Sequence, residues 1–229
     1  MQVQTKTTRN RNKTFSMPII ATGSLILFFI FAYFMETEKS LALDMKISSL
    51  AEEYITGGVY EWISFFTNLG SKSVVIGIAL FTLILMWWKT RDYIGLITVA
   101  GVLIGSDQLY KILKAVYERE RPIYEPSIDA VGYSFPSGHA TVSMSLYGII
   151  IFFVWKYMKK SSFKTAALIA LGSYIFIMGM SRVLLRAHYL TDVLAGFAVA
   201  FTYVTIWILL YSFVTNIFLI KRSQKNIPM

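Results

Sequence analysis

The sequence predicts an all-α membrane protein of six transmembrane helices, with both termini in the cytoplasm and short amphipathic helices in the first outer loop. Three observations predict it. The 229 residues are 55% hydrophobic and 15% charged, with a mean hydropathy of +0.56, too apolar for an ordinary soluble domain. Apolar runs long enough to cross a bilayer recur six times along the chain. Of the 22 basic residues, thirteen fall in segments that a six-span path with an inner N-terminus puts in the cytoplasm, beside a single acid, Asp92. That bias also accounts for the net charge of +9 without nucleic acid as a partner. There is no cysteine, so disulfides, thiolate metal sites and a cysteine nucleophile are excluded.

Taken in order, residues 1–16 form a basic cytoplasmic tail with Lys6, Arg9, Arg11 and Lys13. The run from Met17 to Met35 has the ~20 residues a span needs and exceeds the ~7–15 of a cleaved signal core. No small-x-small cleavage site follows, so it reads as a retained first span. Residues 17–220 then form one six-span domain, and residues 221–229 a second basic cytoplasmic tail.

Residues 36–70 are the acidic part, with Glu36, Glu38, Asp44, Glu52, Glu53 and Glu61. Leu43, Ile47, Leu50 and Tyr54 recur at helical spacing and predict an amphipathic helix ending at Gly57-Gly58. Val59, Trp62, Ile63 and Phe66 predict a second. Such helices either lie on the outer membrane surface or cap the bundle.

The second span runs from Ser71 to Trp88 and ends in the aromatic anchor Trp87-Trp88-Lys89. After a short turn, the third covers Tyr93 to Leu113. Within it, Gly101 and Gly105 permit close helix contact. Its far end turns polar, with Asp107, Lys111 and Lys114 on one face. A loop holding Arg119, Arg121-Pro122 and Phe135-Pro136-Ser137-Gly138-His139 leads to the fourth span, Ala140 to Tyr157. The fifth covers Thr165 to Met180 and the sixth Val193 to Ile220, with Ser181–Asp192 between them. Helix parity puts Lys114–His139 and Ser181–Asp192 on the same, outer face.

Ionisable groups so close to hydrocarbon are costly and usually functional. His188 and Asp192 are four apart, so the carboxylate can take one ring N–H and leave the other nitrogen as base or nucleophile. Ser137 is an N-cap candidate, and helix N-terminal amides suit a phosphate, with His139 beside them. Lys114, Arg121 and Arg182 add cations without cognate acids, and arginine forks match phosphate oxygens. The combination suits phosphoryl transfer. A metal site is disfavoured, because so many cations repel a divalent ion. Plainer readings apply elsewhere: Arg119 and Arg186 snorkel to headgroups, and Asp107 pairs with Lys111 or Lys114.

Lys114-(six residues)-Arg121-Pro122, Pro136-Ser137-Gly138-His139 and Ser181-Arg182-(five residues)-His188-(three residues)-Asp192 resemble the three-part signature of the type-2 phosphatidic acid phosphatase superfamily. The signature spans residues 114–192 and every fixed position is present. The short form with a basic tail resembles the bacterial phosphatidylglycerophosphatase B type. The resemblance implies that His188 attacks phosphorus to form a phosphohistidine and that Asp192 orients its ring. His139 would act as general acid and base. Lys114, Arg121, Ser137, Gly138 and Arg182 would bind the phosphate.

It further implies a cofactor-free, metal-independent lipid phosphatase in the bacterial plasma membrane, acting at the outer face on phosphatidylglycerophosphate. Undecaprenyl diphosphate, phosphatidic acid and diacylglycerol diphosphate are alternative substrates. Membrane lipids are the expected partners, with no obligate protein partner. Arg186, Glu125 and Asp107 occupy variable positions where headgroup preference could be tuned. The competing class is a lipid or anion transporter, which would use the cations but has no use for a His–Asp dyad.

Overall fold

Four of the described helices begin where a short polar side chain accepts one of the N–H groups that a helix start leaves unpaired. The structure, a computed structural model, describes residues 2–35, 37–122 and 132–225. Among these are eight helices: α1 (Gln2–Phe34), α2 (Glu38–Tyr54), α3 (Gly57–Asn68), α4 (Lys72–Thr90), α5 (Tyr93–Tyr117), α6 (Gly138–Tyr157), α7 (Ser162–Leu184) and α8 (Leu190–Lys225). Thr37 caps α2 through Ser40 N, Asp92 caps α5 through Gly95 N, Ser137 caps α6 through Ala140 N, and Ser161 caps α7 through Lys164 N.

Six stretches are long and apolar enough to cross a membrane: Met17–Phe34, Lys72–Thr90, Tyr93–Tyr117, Gly138–Tyr157, Ser162–Leu184 and Leu190–Ile220. The protein is therefore a multi-pass, all-α membrane protein, as the sequence predicts. The third and fifth spans extend beyond their sequence boundaries, because polar residues such as Lys114 and Arg182 continue the helix.

In lipid the tails are as apolar as leucine, so helices associate through close contact and polar bonds rather than through the hydrophobic effect. α8 is the central element: α1, α5 and α6 all lie against it, and α6 also lies against α7. Met86, Val99, Val102, Ile149, Phe153, Val204 and Ile208 form one buried cluster. Phe28, Ala32, Phe135, Ala195 and Val199 form another. Ile97, Ile104, Phe81 and Phe213 stay exposed on the outside of the bundle, where lipid would cover them.

At one end a polar node ties three spans together. Asp92 Oδ1 accepts the Gly95 N–H, and Oδ2 accepts from Tyr211 at 2.5 Å and from Tyr157, with Lys156 Nζ at 3.5 Å. The opposite end gathers the C-termini of α5 and α7 with the N-termini of α4, α6 and α8.

The segment between the first two spans departs from expectation. Gly57 does not end α2; it stands at φ +53° at the start of α3, and α2 stops at Tyr54. Of the predicted apolar stripe, only Ile47 packs against the bundle, beside Val183 and Val193. Leu43, Leu50 and Tyr54 are exposed, while Asp44 and Ala51 are buried. A carboxylate, rather than the leucines, faces the bundle. α3 lies on α7, and α2 on α7 and α8, so both helices pack onto this end of the bundle.

Gly101 and Gly105 act in packing. A Cβ at Gly105 would run into the Tyr203 hydroxyl, and one at Gly101 into the Trp207 ring, both on α8. Tyr203 also donates to the Gly101 carbonyl at 3.0 Å. Substituting Ala at either position should cost about 1–3 kcal/mol, read as a lower thermal midpoint in detergent. Gly77→Ala, which meets nothing within 4 Å, should leave the midpoint nearly unchanged.

Candidate active site

Five segments converge at the end opposite the Asp92 node. The last turns of α5 and α7 bring Lys114 and Arg182, and the loop after α5 brings Arg119 and Arg121. Residues 132–139 bring Ser134, Ser137, Gly138 and His139, and the α7–α8 junction brings His188 and Asp192.

The α7–α8 junction is a tight reversal. Leu185 N–H donates to the Ser181 carbonyl at 2.9 Å, and the N–H groups of Ala187 and His188 both donate to the Arg182 carbonyl, at 3.0 and 3.1 Å. Arg186 makes the turn at φ +58°, in the left-handed region. α8 starts at Leu190, so His188 precedes the helix rather than lying in it. Asp192, in the first turn, still meets it: His188 Nδ1 lies 3.4 Å from Asp192 Oδ2.

The surrounding bonds set the tautomer of His188. Arg121 Nη1 lies 3.2 Å from His188 Nε2, and a guanidinium can only donate, so Nε2 is the acceptor. The proton therefore sits on Nδ1, facing Asp192 and, at 3.4 Å, Ser134 Oγ. The Asp192 carboxylate is fully occupied. Oδ1 accepts from Arg119 Nη1 at 2.5 Å, and Oδ2 accepts from Ser134 Oγ and from the Tyr189 N–H at 2.9 Å.

The cations are held by backbone carbonyls and a hydroxyl. Lys114 Nζ donates to the Tyr133 carbonyl at 2.5 Å. Arg121 donates to the carbonyls of Gly132, Tyr133 and Ala187 at 2.7, 3.2 and 2.6 Å. Arg182 is buried and donates to Thr67 Oγ1 at 3.2 Å, tying α7 to α3.

A cavity of about 420 Å³ opens onto this end. Lys114, Arg121, Gly138, His139 and His188 line its polar floor, and Val75, Ile76, Leu103 and Ile104 line an apolar side between α4 and α5. Ile76 and Ile104 are exposed on the outside of the bundle, so the apolar side reaches the surface that lipid covers. His139 rests against the backbone of Gly70, where a Cβ would sit 2.8 Å from the ring. Cations around a neutral imidazole suit a phosphate-like anion at the floor.

Of the residues singled out from sequence, five line the cavity floor. Ser137, Arg182 and Asp192 stand behind it: Ser137 is fully buried as the α6 cap, and its N–H donates to the Asp192 carbonyl at 3.0 Å. Asp107 pairs with Lys111 at 2.6 Å and lies on the cavity lining. Glu125 falls outside the described residues.

The snorkelling assignment fails for both arginines. Arg119, its side chain 9% exposed, bridges Asp44 and Asp192. Arg186 pairs with Glu52 at 2.9 Å. Their acids come from α2 and α8, far along the chain, and local spacing does not report such partners. Ser134 and Asp44 were also missed. Ser134 is a serine in a loop, without periodicity to mark it. Asp44 carried one signal, a lone acid among the apolar positions of α2.

Residues 93–217 match the PAP2 superfamily. Phosphatidylglycerophosphatase B of Bacillus subtilis (strain 168) is 32% identical over 178 residues, covering 76% of this chain and 87% of that protein. The crystal structure of a transmembrane PAP2-type phosphatidylglycerolphosphate phosphatase from Bacillus subtilis is similar with a TM-score of 0.75 and 28% identity, over 82% of this chain and 93% of that one. LpxE of Aquifex aeolicus shares the fold with a TM-score of 0.57 and 18% identity, over 76% of this chain and 96% of its own.

Burial holds the His188 pKa well below the usual imidazole value, and the charges of Arg121, Lys114 and Arg182 lower it further. With two histidines in the chain, ¹⁵N-histidine NMR can follow each ring. His188 should stay neutral well below the ordinary ~6.5, and Arg121→Gln should raise its midpoint. The unfolded chain takes up a proton that folded His188 refuses, so this group's share of stability is present above ~6.5 and lost as pH falls below it. Chemical unfolding at successive pH values measures that loss.

Proposed function

The chain belongs to the PAP2 superfamily, and on that premise we propose that it is a membrane lipid phosphate phosphatase that converts phosphatidylglycerophosphate to phosphatidylglycerol. The observation that carries this reading is the two-sided cavity. One wall is cationic and holds both histidines, and the other is apolar and runs between α4 and α5 to the lipid-facing surface. A phosphate can sit at the floor while its hydrocarbon tail stays in the bilayer. The 32% identity to phosphatidylglycerophosphatase B favours the glycerophosphate headgroup over undecaprenyl diphosphate, phosphatidic acid or diacylglycerol diphosphate.

The phosphate oxygens take the donors of Lys114, Arg121 and the Gly138 backbone, with the Ser137-capped N-terminus of α6 behind them. Arg182 adds positive charge from the rear. As the phosphate enters, the Arg121 donor moves from His188 Nε2 to an oxygen and frees the nitrogen lone pair. Nε2 attacks phosphorus; the P–O bond to the glycerol breaks, and the departing alkoxide takes a proton from His139. The phosphohistidine carries positive charge on its ring, which Asp192 stabilises through Nδ1–H. Water then attacks phosphorus and gives its proton to His139. The N–P bond breaks, and inorganic phosphate leaves.

The basic residues in the connections at the Asp92 end (Lys89, Arg91, Lys156, Lys159, Lys160 and Lys164) support an inner position for that end and an extracytoplasmic position for the site. A reporter fused at the C-terminus should then be active only on the cytoplasmic side.

Purified protein should release phosphate from phosphatidylglycerophosphate faster than from the three alternative lipids. Release should be inhibited by vanadate and resist chelators. His188→Ala should lower the rate by roughly three to six orders of magnitude, and acid-labile phosphohistidine should be trapped on the wild type alone. If phosphatidylglycerophosphate is the slowest of the four, the substrate ranking is wrong. Full activity in the His188→Ala protein would overturn the phosphatase mechanism.

A further inference from the structure

Asp192 has no solvent exposure, and such a carboxylate needs a counter-ion. Arg119 supplies it at 2.5 Å. An Arg119–Asp192 pair alone would be neutral as a unit, and its field on His188 would largely cancel. The second arm of the guanidinium changes this balance. Arg119 Nη2 lies 2.9 Å from Asp44 Oδ2, and Asp44 is itself 1% exposed. The three groups together carry a net negative charge beside the Nδ1 side of His188.

Asp44 is fixed to the same helix start. It accepts the Thr191 N–H at 3.2 Å and the Thr191 hydroxyl, one residue before Asp192. Thr191 Oγ1 also lies 2.7 Å from Arg119 Nη1. An acid in the first turn of α8 is favoured by the helix dipole as well. Arg119 reaches the dyad by a second route, since its carbonyl accepts the Ser134 N–H at 2.7 Å, and Ser134 donates to the other oxygen of Asp192. The guanidinium lies 4.2 Å from the centre of the Tyr189 ring, which limits its rotation. α2 is docked with this acid facing inward, beside the buried Ala51 and the half-buried Ile47, and with its leucines outward.

We infer that Asp44 and Arg119 are positioning residues for the histidine chemistry: Arg119 fixes the Asp192 carboxylate, and Asp44 offsets the Arg119 charge so that Asp192 can still stabilise the cationic ring of phosphohistidine. This rests on the phosphatase reading above. Neither residue touches the cavity, so substrate binding is expected to be independent of them.

The test is steady-state kinetics of the full-length protein in detergent with phosphatidylglycerophosphate, comparing wild type, Asp44→Asn, Arg119→Lys and His188→Ala. Asp44→Asn keeps the shape and the acceptor for Thr191 but removes the charge. Arg119→Lys keeps the charge but cannot fork between two carboxylates. Each should lower kcat roughly 10- to 100-fold, as loss of a supporting group behind a catalytic ligand does. KM and the vanadate inhibition constant should stay within about threefold (0.65 kcal/mol at RT ≈ 0.59) of wild type. The double variant should be no slower than the worse single one.

A kcat within threefold of wild type in Asp44→Asn, with His188→Ala inactive, overturns the inference and leaves the phosphatase reading standing. So does a loss shared equally by kcat, vanadate affinity and thermal midpoint in both variants, which would make the pair a scaffold only. An active His188→Ala protein sinks the phosphatase reading itself.

Discussion

A carboxylate with no access to solvent heads α8, and the end of the bundle that holds the cavity is arranged around satisfying it. Asp192 receives a guanidinium from the loop after α5, a hydroxyl from Ser134, and a main-chain N–H from its own junction. Asp44 of α2 completes the set from the far side of Arg119. In a medium that offers no water, each of these groups has to be supplied by the protein. That requirement explains why elements remote in sequence meet here, and why α2 turns its acid inward at the expense of its leucines. The charged contacts are therefore specified by the depth at which Asp192 sits.

The same economy shapes the cavity floor. Lys114 and Arg121 are oriented by the carbonyls of Gly132, Tyr133 and Ala187. Burial, and the charges of Arg121, Lys114 and Arg182 after it, hold the His188 pKa well below the usual imidazole value, which is the state the proposed nucleophile needs. An electrostatic division follows. The Nε2 side of His188 faces cations and the cavity, and the Nδ1 side faces Asp192 and Ser134. The ring is polarised along one axis before any ligand arrives.

The apolar side of the cavity follows from span geometry. α4 and α5 touch each other, yet Val75, Ile76, Leu103 and Ile104 line an opening between them toward the outside of the bundle. Lipid association between helices is weak where side chains are simply apolar, so such a gap costs little. Where the bundle must be tight, as between α5 and α8, Gly101 and Gly105 admit the rings of Trp207 and Tyr203. Rigidity and opening are thus assigned to opposite faces of the same helix, α5.

The six spans, their order, and the meeting of Lys114, Arg121 and His139 with His188 and Asp192 at one end were legible in the sequence by itself, because apolar run length and charge bias are local properties that the bilayer reads directly. The sequence also marked His139, His188 and Asp192, since ionisable groups in such surroundings are rare. Tertiary structure alone decided how Arg119, Ser134 and Asp44 are used. Arg119 read as a snorkelling side chain and Asp44 as one acid in an acidic loop, and neither reading could change until residues 72 positions apart or more came within bonding distance. Hydrophobic periodicity misplaced part of α2: Leu43 and Leu50 face out, while Ile47 packs on the bundle near the buried Asp44. The carboxylate faces in because Arg119 and Thr191 meet it there, and those partners are fixed only by the fold.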